Sequence, residues 1–230
     1  MRLNKYIATA TGLSRRAADD AVYRNRVLIN GAPPSAGQQV AASDNVSIDG
    51  NIISLPTSTI TIMLNKPVGY ICSREGQGGR TIYDLLPDNL QGLKSIGRLD
   101  KSSSGLLLLT TDGELAQQLT HPKYEKTKCY VVELDKPLAP LHHQMICDHG
   151  IQLPDGRSQL QLSRLTNKQN IGHGKDIENN KIWQVTMQEG RNRQIRRTFE
   201  ALGYNVVKLH RTLFGDYQLE NLELGTHKII

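Results

Sequence analysis

The spacing of apolar positions changes character partway along the chain. Leu3, Ile7 and Ala10 recur at helical spacing and Gly12 follows as a stop signal, so residues 3–10 read as a helix. Ser14 stands where a cap is needed for a second helix over 15–24, with a thin apolar face of Ala17, Ala18, Ala21 and Val22. Asn25 then closes it, since Asn tolerates the left-handed geometry that ends many helices. Short strands are expected at 26–31 and 45–50, with a turn around Pro33-Pro34 between them. Beyond residue 60 the pattern is mostly that of strands: TIMLNKP at 61–67, SIGRL at 95–99, GLLLLT at 105–110, KCYVVEL at 128–134, QLQLSRL at 159–165 and KIWQVTM at 181–187. Helices are expected near 81–86, 112–119, 140–147 and 192–202, and the polar, aperiodic stretch 167–180 reads as a hairpin loop. Strands far apart in sequence, mixed with helices, predict an α+β fold rather than regular βαβ repeats.

Two units follow from this pattern. Residues 1–50 form a small helix-plus-sheet module, 51–59 (NIISLPTST) a linker, and 60–230 the larger domain. A module of about 50 residues buries little apolar surface, so attachment suits it better than chemistry. Arg2, Lys5, Arg15, Arg16, Arg24 and Arg26 make it basic against Asp19, Asp20, Asp44 and Asp49. Those arginines either solvate an ordinary fold or face phosphates.

Charge and composition narrow the classes. The net charge of +6, from 28 basic and 22 acidic residues, suits a polyanionic partner without choosing between nucleic acid and an anionic metabolite. One Trp, two Phe and eight Tyr argue against arrays of stacking platforms, so recognition should rest on basic side chains and shape. Cys72, Cys129 and Cys147 have no zinc-ribbon spacing and fit a reduced, cytoplasmic protein. No apolar run approaches a membrane span, and Met1 leads into a polar helix rather than a signal peptide.

Two segments could carry chemistry. Gly97-Arg98-Leu99-Asp100 places a carboxylate beside the apolar strand at 105–109, although alone it resembles many surface turns. Gly190 to Arg197 is more unusual, because residues 190–211 hold six Lys or Arg against the single acid Glu200. On a helix starting near 192, Arg193 and Arg197 share one face while Ile195, Phe199 and Leu202 share another. Such positive density needs an anion, either RNA phosphate or an internal carboxylate such as Asp100. Weaker candidates fall away. Gly76-Gln77-Gly78-Gly79-Arg80 lacks the GK[ST] of a phosphate loop, His143 and Cys147 lack a second metal-ligand pair, and no G-x-S-x-G elbow is present. Asp112 and Glu114 read as helix-start residues.

The ordered segments KP-x-G at 66–69, GRLDKSSSGLLLLTTDGEL at 97–115, HP at 121–122, K-x-Y at 128–130, EGRNRQIRR at 189–197 and KLHRTLFG at 208–215 closely resemble bacterial ribosomal-RNA pseudouridine synthases of the small-subunit uridine synthase family. Residues 1–50 resemble the alpha-L RNA-binding motif that often precedes that domain. The resemblance implies a mixed, mostly antiparallel sheet crossed by a cleft, with Asp100 as the catalytic carboxylate and Arg196 as its ion partner. It implies that Tyr130 packs on the target base, that Arg98 holds the flipped nucleotide, and that Leu209 walls the pocket with Arg211 close to RNA. Arg193, Arg197, Arg2, Lys5, Arg15 and Arg16 are the further RNA-facing candidates. No metal or other cofactor is implied. A monomer acting on ribosomal RNA is expected, with large-subunit rRNA favoured by EGRNRQIRR and by R-x-x-x-D-x-L-P at Arg80–Pro87. The sequence departs from relatives in the hydroxyl residues of DKSSSG, in Thr198 where Met is frequent, and in AADD of the amino-terminal helix. The competing readings are a non-catalytic RNA-binding or ribosome-assembly protein and a phosphate-handling metabolic enzyme.

Overall fold

The computed structural model describes residues 1–75, 78–165 and 180–230, so the expected hairpin loop at 167–180 lies outside the described residues except for Asn180. In the amino-terminal unit, helix α1 (Leu3–Thr11) ends at Gly12 in the left-handed region, and α2 (Arg15–Tyr23) follows. The Ser14 hydroxyl accepts from the Ala17 N–H at 3.0 Å, the expected cap, and Asn25 takes the left-handed conformation at φ 57°. Strands β1 (Val27–Ile29), β2 (Val46–Ile48) and β3 (Asn51–Ile53) form an antiparallel sheet in that order. Leu3, Ile7, Ala18, Ala21, Val27, Ile29, Val40 and Val46 make the core between helices and sheet.

β3 occupies the first part of the stretch expected to be linker. Asp49 and Gly50, at φ 51° and 78°, close a two-residue hairpin that sets Asn51 opposite Ile48. The connection between units is therefore residues 54–60. Polar contacts of Lys94 and Lys5 tie the units together. Lys94 Nζ donates to the Leu13 carbonyl at 2.9 Å beyond the end of α1, and Lys5 Nζ lies 2.9 Å from Glu114 Oε1.

The larger domain is built on one mixed sheet. Its strands are β4 (Thr61–Lys66), β5 (Lys94–Ile96), β6 (Ser104–Thr110), β7 (Lys128–Leu134), β10 (Gln161–Arg164), β11 (Ile182–Met187), β12 (Val206–Phe214), β13 (Tyr217–Gln218) and β14 (His227–Ile229), while β8 (Ile151–Leu153) and β9 (Gly156–Ser158) form a separate hairpin. Spatial order is β10-β11-β7-β12-β6-β4-β14, with β5 beside β6 and β13 beside β12. Only β12 with β6 runs parallel among these pairs; the others are antiparallel. This is the expected α+β class with a mostly antiparallel mixed sheet.

Every residue of β6 is buried, because β4 and β12 flank it and apolar clusters cover both faces. Gly105 in β6 is obligatory: at φ 104°, a Cβ there would lie 2.2 Å from the Arg211 carbonyl oxygen. Helices α3 (Gly113–Thr120), α4 (Pro140–Gln144) and α5 (Gln194–Glu200) lie near their expected places, and α4 runs on into a wider π-type turn, Met145–His149. The helix expected at 81–86 is a single 3-10 turn, Ile82–Leu85. The strand expected at 95–99 stops at Ile96, because Gly97 at φ 67° turns the chain into a loop.

Candidate active site

Residues 97–103 form the loop between β5 and β6, and its backbone is gripped from outside at successive carbonyls. The thiol of Cys72 donates to the Leu99 carbonyl at 3.3 Å and accepts from the Leu99 N–H at 3.4 Å. Lys66 Nζ donates to the carbonyls of Asp100 at 3.1 Å and Ser103 at 2.8 Å, and to that of Pro67 at 3.0 Å. Gly69 N–H donates to the Lys101 carbonyl at 2.7 Å, and Arg196 Nη2 to that of Ser102 at 2.9 Å. The KP-x-G segment is thus a backbone clasp for the loop that carries Asp100. Lys66 is fully buried, and this burial pushes its pKa down.

The Asp100 carboxylate faces a cleft of about 1190 Å³. Cross-strand register assembles much of its wall. Arg211 of β12 pairs with Tyr130 of β7, and Leu209 pairs with Val132, so Tyr130, Leu209 and Arg211 stand on one face of the sheet. Leu99, Ile195 and Met187 add apolar surface, while Arg98 and Arg193 stand exposed at its margin. A bulge between Arg211 and Leu213 breaks the register here.

The arginines divide their work differently from expectation. The ion partner of Asp100 is Arg193, with Nη1 3.6 Å from Oδ2, and not Arg196. Arg196 donates to Val206 O at 2.7 Å as well as to Ser102 O, which ties α5 to β12 and to the loop. The difference is geometric: Arg193 precedes α5 in the left-handed conformation at φ 48°, whereas Arg196, one helical turn on, points beneath the loop. Burial lowers the Arg196 pKa, opposed by Asp100. Arg197 does not line the cleft; its guanidinium makes two bonds to Asp155, at 2.7 and 3.1 Å, and Arg191 also contacts Asp155 at 3.3 Å. Asp155 is therefore the main internal carboxylate of the cluster, and the Arg197 hydrogen bond holds its pKa down.

Arg211 is only 3% exposed; its Nε donates to Leu106 O at 2.8 Å and its guanidinium lies 4.7 Å from the centre of the Phe214 ring. It braces β6 against β12 at the cleft floor rather than reaching out from the surface. Lys128 Nζ bonds Gln188 O at 2.8 Å, fixing the strand end before Gly190, and burial lowers its pKa. Thr198, expected to depart from relatives, shares a buried hydrogen bond of 2.8 Å with the Ser158 hydroxyl, and Gln194 links that hydroxyl to the exposed Glu189.

In the amino-terminal unit, Lys5 is engaged by Glu114 and Arg15 by the Asn4 side chain at 3.2 Å, while Arg2 and Arg16 are exposed. His143 Nε2 lies 3.8 Å from Cys147 Sγ, and among the described residues no three His, Cys, Asp or Glu side chains converge as metal ligands. The three cysteines are unpaired thiols. Asp112 caps α3, accepting from the N–H groups of Glu114 and Leu115.

Residues 60–201 match the RNA pseudouridylate synthase family. The chain belongs to that family. A ribosomal large subunit pseudouridine synthase B of Bacillus subtilis is 36% identical over 226 residues, covering 97% of this chain and 89% of the relative. A ribosomal small subunit pseudouridine synthase A of Haemophilus influenzae is 35% identical over 231 residues, covering 99% and 95%. A crystal structure of a pseudouridylate synthase superposes with a TM-score of 0.68 at 31% identity, covering all of this chain and 96% of that one. Relatives of nearly equal similarity thus carry both ribosomal-subunit names.

Within the pseudouridylate synthase domain, the loop holding Asp100, the base-wall candidates Tyr130 and Leu209, and Arg98 all border one cleft. Sequence reasoning passed over the groups that hold this arrangement: Lys66, Gly69, Cys72, Lys128 and Asp155. KP-x-G was visible as a motif, but its role depends on contacts more than 30 positions away. Asp155 sits in a Pro-Asp-Gly turn and carried only a turn signal.

Proposed function

We propose that this protein isomerises uridine to pseudouridine in structured ribosomal RNA. The observation that carries the reading is the Asp100 carboxylate, displayed on a rigidly held loop at the wall of a cleft that also presents Tyr130 and Leu209. A uridine flipped out of its helix would meet the Tyr130 ring and the Leu209 side chain, offsetting the few kcal/mol of stacking lost on extrusion. Asp100 would act at the ribose while the N1–C1′ bond breaks; the uracil turns, and a C5–C1′ bond forms as the C5 proton leaves and N1 gains one. Arg98 would bind the backbone beside the extruded nucleotide, and Arg193 would neutralise Asp100 before RNA arrives. The amino-terminal unit would supply phosphate contacts through Arg2 and Arg16.

Large-subunit rRNA is the proposed target. Support comes from EGRNRQIRR, from the Arg80–Pro87 pattern, and from similarity to the Bacillus subtilis large-subunit enzyme. Purified protein incubated with unmodified rRNA should form pseudouridine, and Asp100→Asn should bind the same RNA and form none. RNA binding without product from the unaltered protein would favour a non-catalytic assembly factor. Mapping pseudouridines in cells lacking the gene, with and without its restoration, tests the target; loss confined to small-subunit rRNA would refute it.

A further inference from the structure

We infer that Cys72 is a positioning residue for catalysis: its thiol holds the Leu99 peptide and thereby aims Asp100 at the ribose, an inference that rests on the isomerase reading above. Leu99 lies between Arg98 and Asp100, and its N–H and carbonyl belong to the two peptide units that flank it, so a rotation of either would re-aim the neighbouring side chain. The carbonyls of residues 100–103 are held by Lys66, Gly69 and Arg196. At Leu99, both the N–H and the carbonyl are taken by one atom, Cys72 Sγ, and no other partner reaches them among the described residues.

That pair of bonds demands a group that donates and accepts at the same point, which a thiol or hydroxyl does and an alkyl group does not. The thiol has a firm mount. Ile71 N–H donates to Arg80 O at 2.9 Å and Ile71 O accepts from Ile82 N–H at 3.0 Å, which locks the residue next to Cys72 into a bridge with Thr81. Leu99 itself is 7% exposed, its side chain packed in the main core. The upstream end of the loop is thus pinned between core packing and a sulfur atom. Separately, burial pushes the Cys72 pKa above its ordinary value, which keeps the S–H available as a donor at neutral pH.

Cys72→Val, Cys72→Ala and Cys72→Ser separate geometry from packing. Displacing a reacting group by even ~1 Å costs on the order of 100-fold, so single-turnover pseudouridine formation by Cys72→Val should fall by about 10- to 100-fold. Its RNA affinity should fall far less than its rate, because Arg98 is one of several proposed phosphate contacts. Cys72→Ser restores a donor and an acceptor and should recover most of the rate. Hydrogen exchange at the Leu99 amide should quicken in Cys72→Val but not in Cys72→Ser. A normal rate in Cys72→Val, or an equal loss in Cys72→Ser, would overturn the inference. If Cys72→Val does not fold, Cys72→Ala is read in its place by the same criteria. Should the unaltered protein form no pseudouridine, the isomerase reading fails by itself. The Leu99 amide then decides whether the thiol holds the loop: unchanged exchange in Cys72→Val would overturn that too.

Discussion

Replacing Arg196 with glutamine removes two hydrogen bonds that tie α5 to β12 and to the loop carrying Asp100, those to Val206 O at 2.7 Å and Ser102 O at 2.9 Å. Hydrogen bonds from a charged donor contribute roughly 1.5–3 kcal/mol each. Two effects reduce the sum. Ser102 is exposed, so water replaces part of the lost bond, and deleting a guanidinium whose pKa burial already lowers recovers some desolvation cost. The net loss should be about 2–4 kcal/mol, or on the order of 5–15 °C in melting temperature for a chain of this size. Arg193→Gln removes an ion pair at 3.6 Å between side chains that are 48% and 38% exposed. Exposed pairs of this kind contribute about 1 kcal/mol or less. Urea melts of both variants, run beside single-turnover assays, should therefore show Arg196→Gln as the destabilised protein and Arg193→Gln as near-normal in stability. A larger stability loss in Arg193→Gln, or an Arg196→Gln variant as stable and active as the unaltered protein, would refute this division of roles.

Gly105→Ala forces a Cβ to within 2.2 Å of the Arg211 carbonyl and keeps a side chain at φ 104°, so it should cost roughly 3 kcal/mol or more; a denaturant midpoint equal to that of the unaltered protein would contradict this. His210 is buried against Ser104, and burial, with Lys208 adding to it, pushes its pKa down from 6.5 to about 4. Between those values the unfolded chain binds a proton that the folded chain refuses. Stability is therefore present above pH 6.5 and is lost as pH falls toward 4, by up to roughly 3 kcal/mol. His210→Asn should flatten this part of the melting temperature–pH curve, and equal acid slopes in the two proteins would count against it. Deleting residues 1–55 should weaken binding to structured rRNA and reduce its salt dependence while leaving the larger domain folded; unchanged affinity and salt slope would exclude a docking role.

Local periodicity made much of the architecture legible. GLLLLT reads as a buried strand, KCYVVEL carries an apolar run of strand length, and WQVTM within KIWQVTM alternates as a sheet strand does. β12 was hidden because Lys208, His210 and Arg211 interrupt its apolar pattern; in the sheet, His210 bonds Ser104 on one face and Arg211 bonds Leu106 on the other. β3 was missed although Asp49-Gly50 is a strong hairpin signal, because the Pro and hydroxyl residues after it suggested a linker. At the site, the resemblance pointed to Asp100, Arg98, Tyr130 and Leu209, which share the cleft. It did not foresee which arginine faces Asp100. Arg193 and Arg196 lie three positions apart, and the choice turns on the left-handed residue before α5, a backbone detail that side-chain type does not encode.

The clasp around residues 99–103 reads main-chain atoms only. Lys101 and Ser102 are exposed, and their side chains take no part in holding the loop. Those two positions are mechanically silent: exchanging their side chains breaks none of the bonds that hold the loop, so Asp100 stays in place. The position of the carboxylate is thereby uncoupled from the side chains that follow it. Sequence can vary at 101 and 102 while the carboxylate one position earlier stays where its backbone is held.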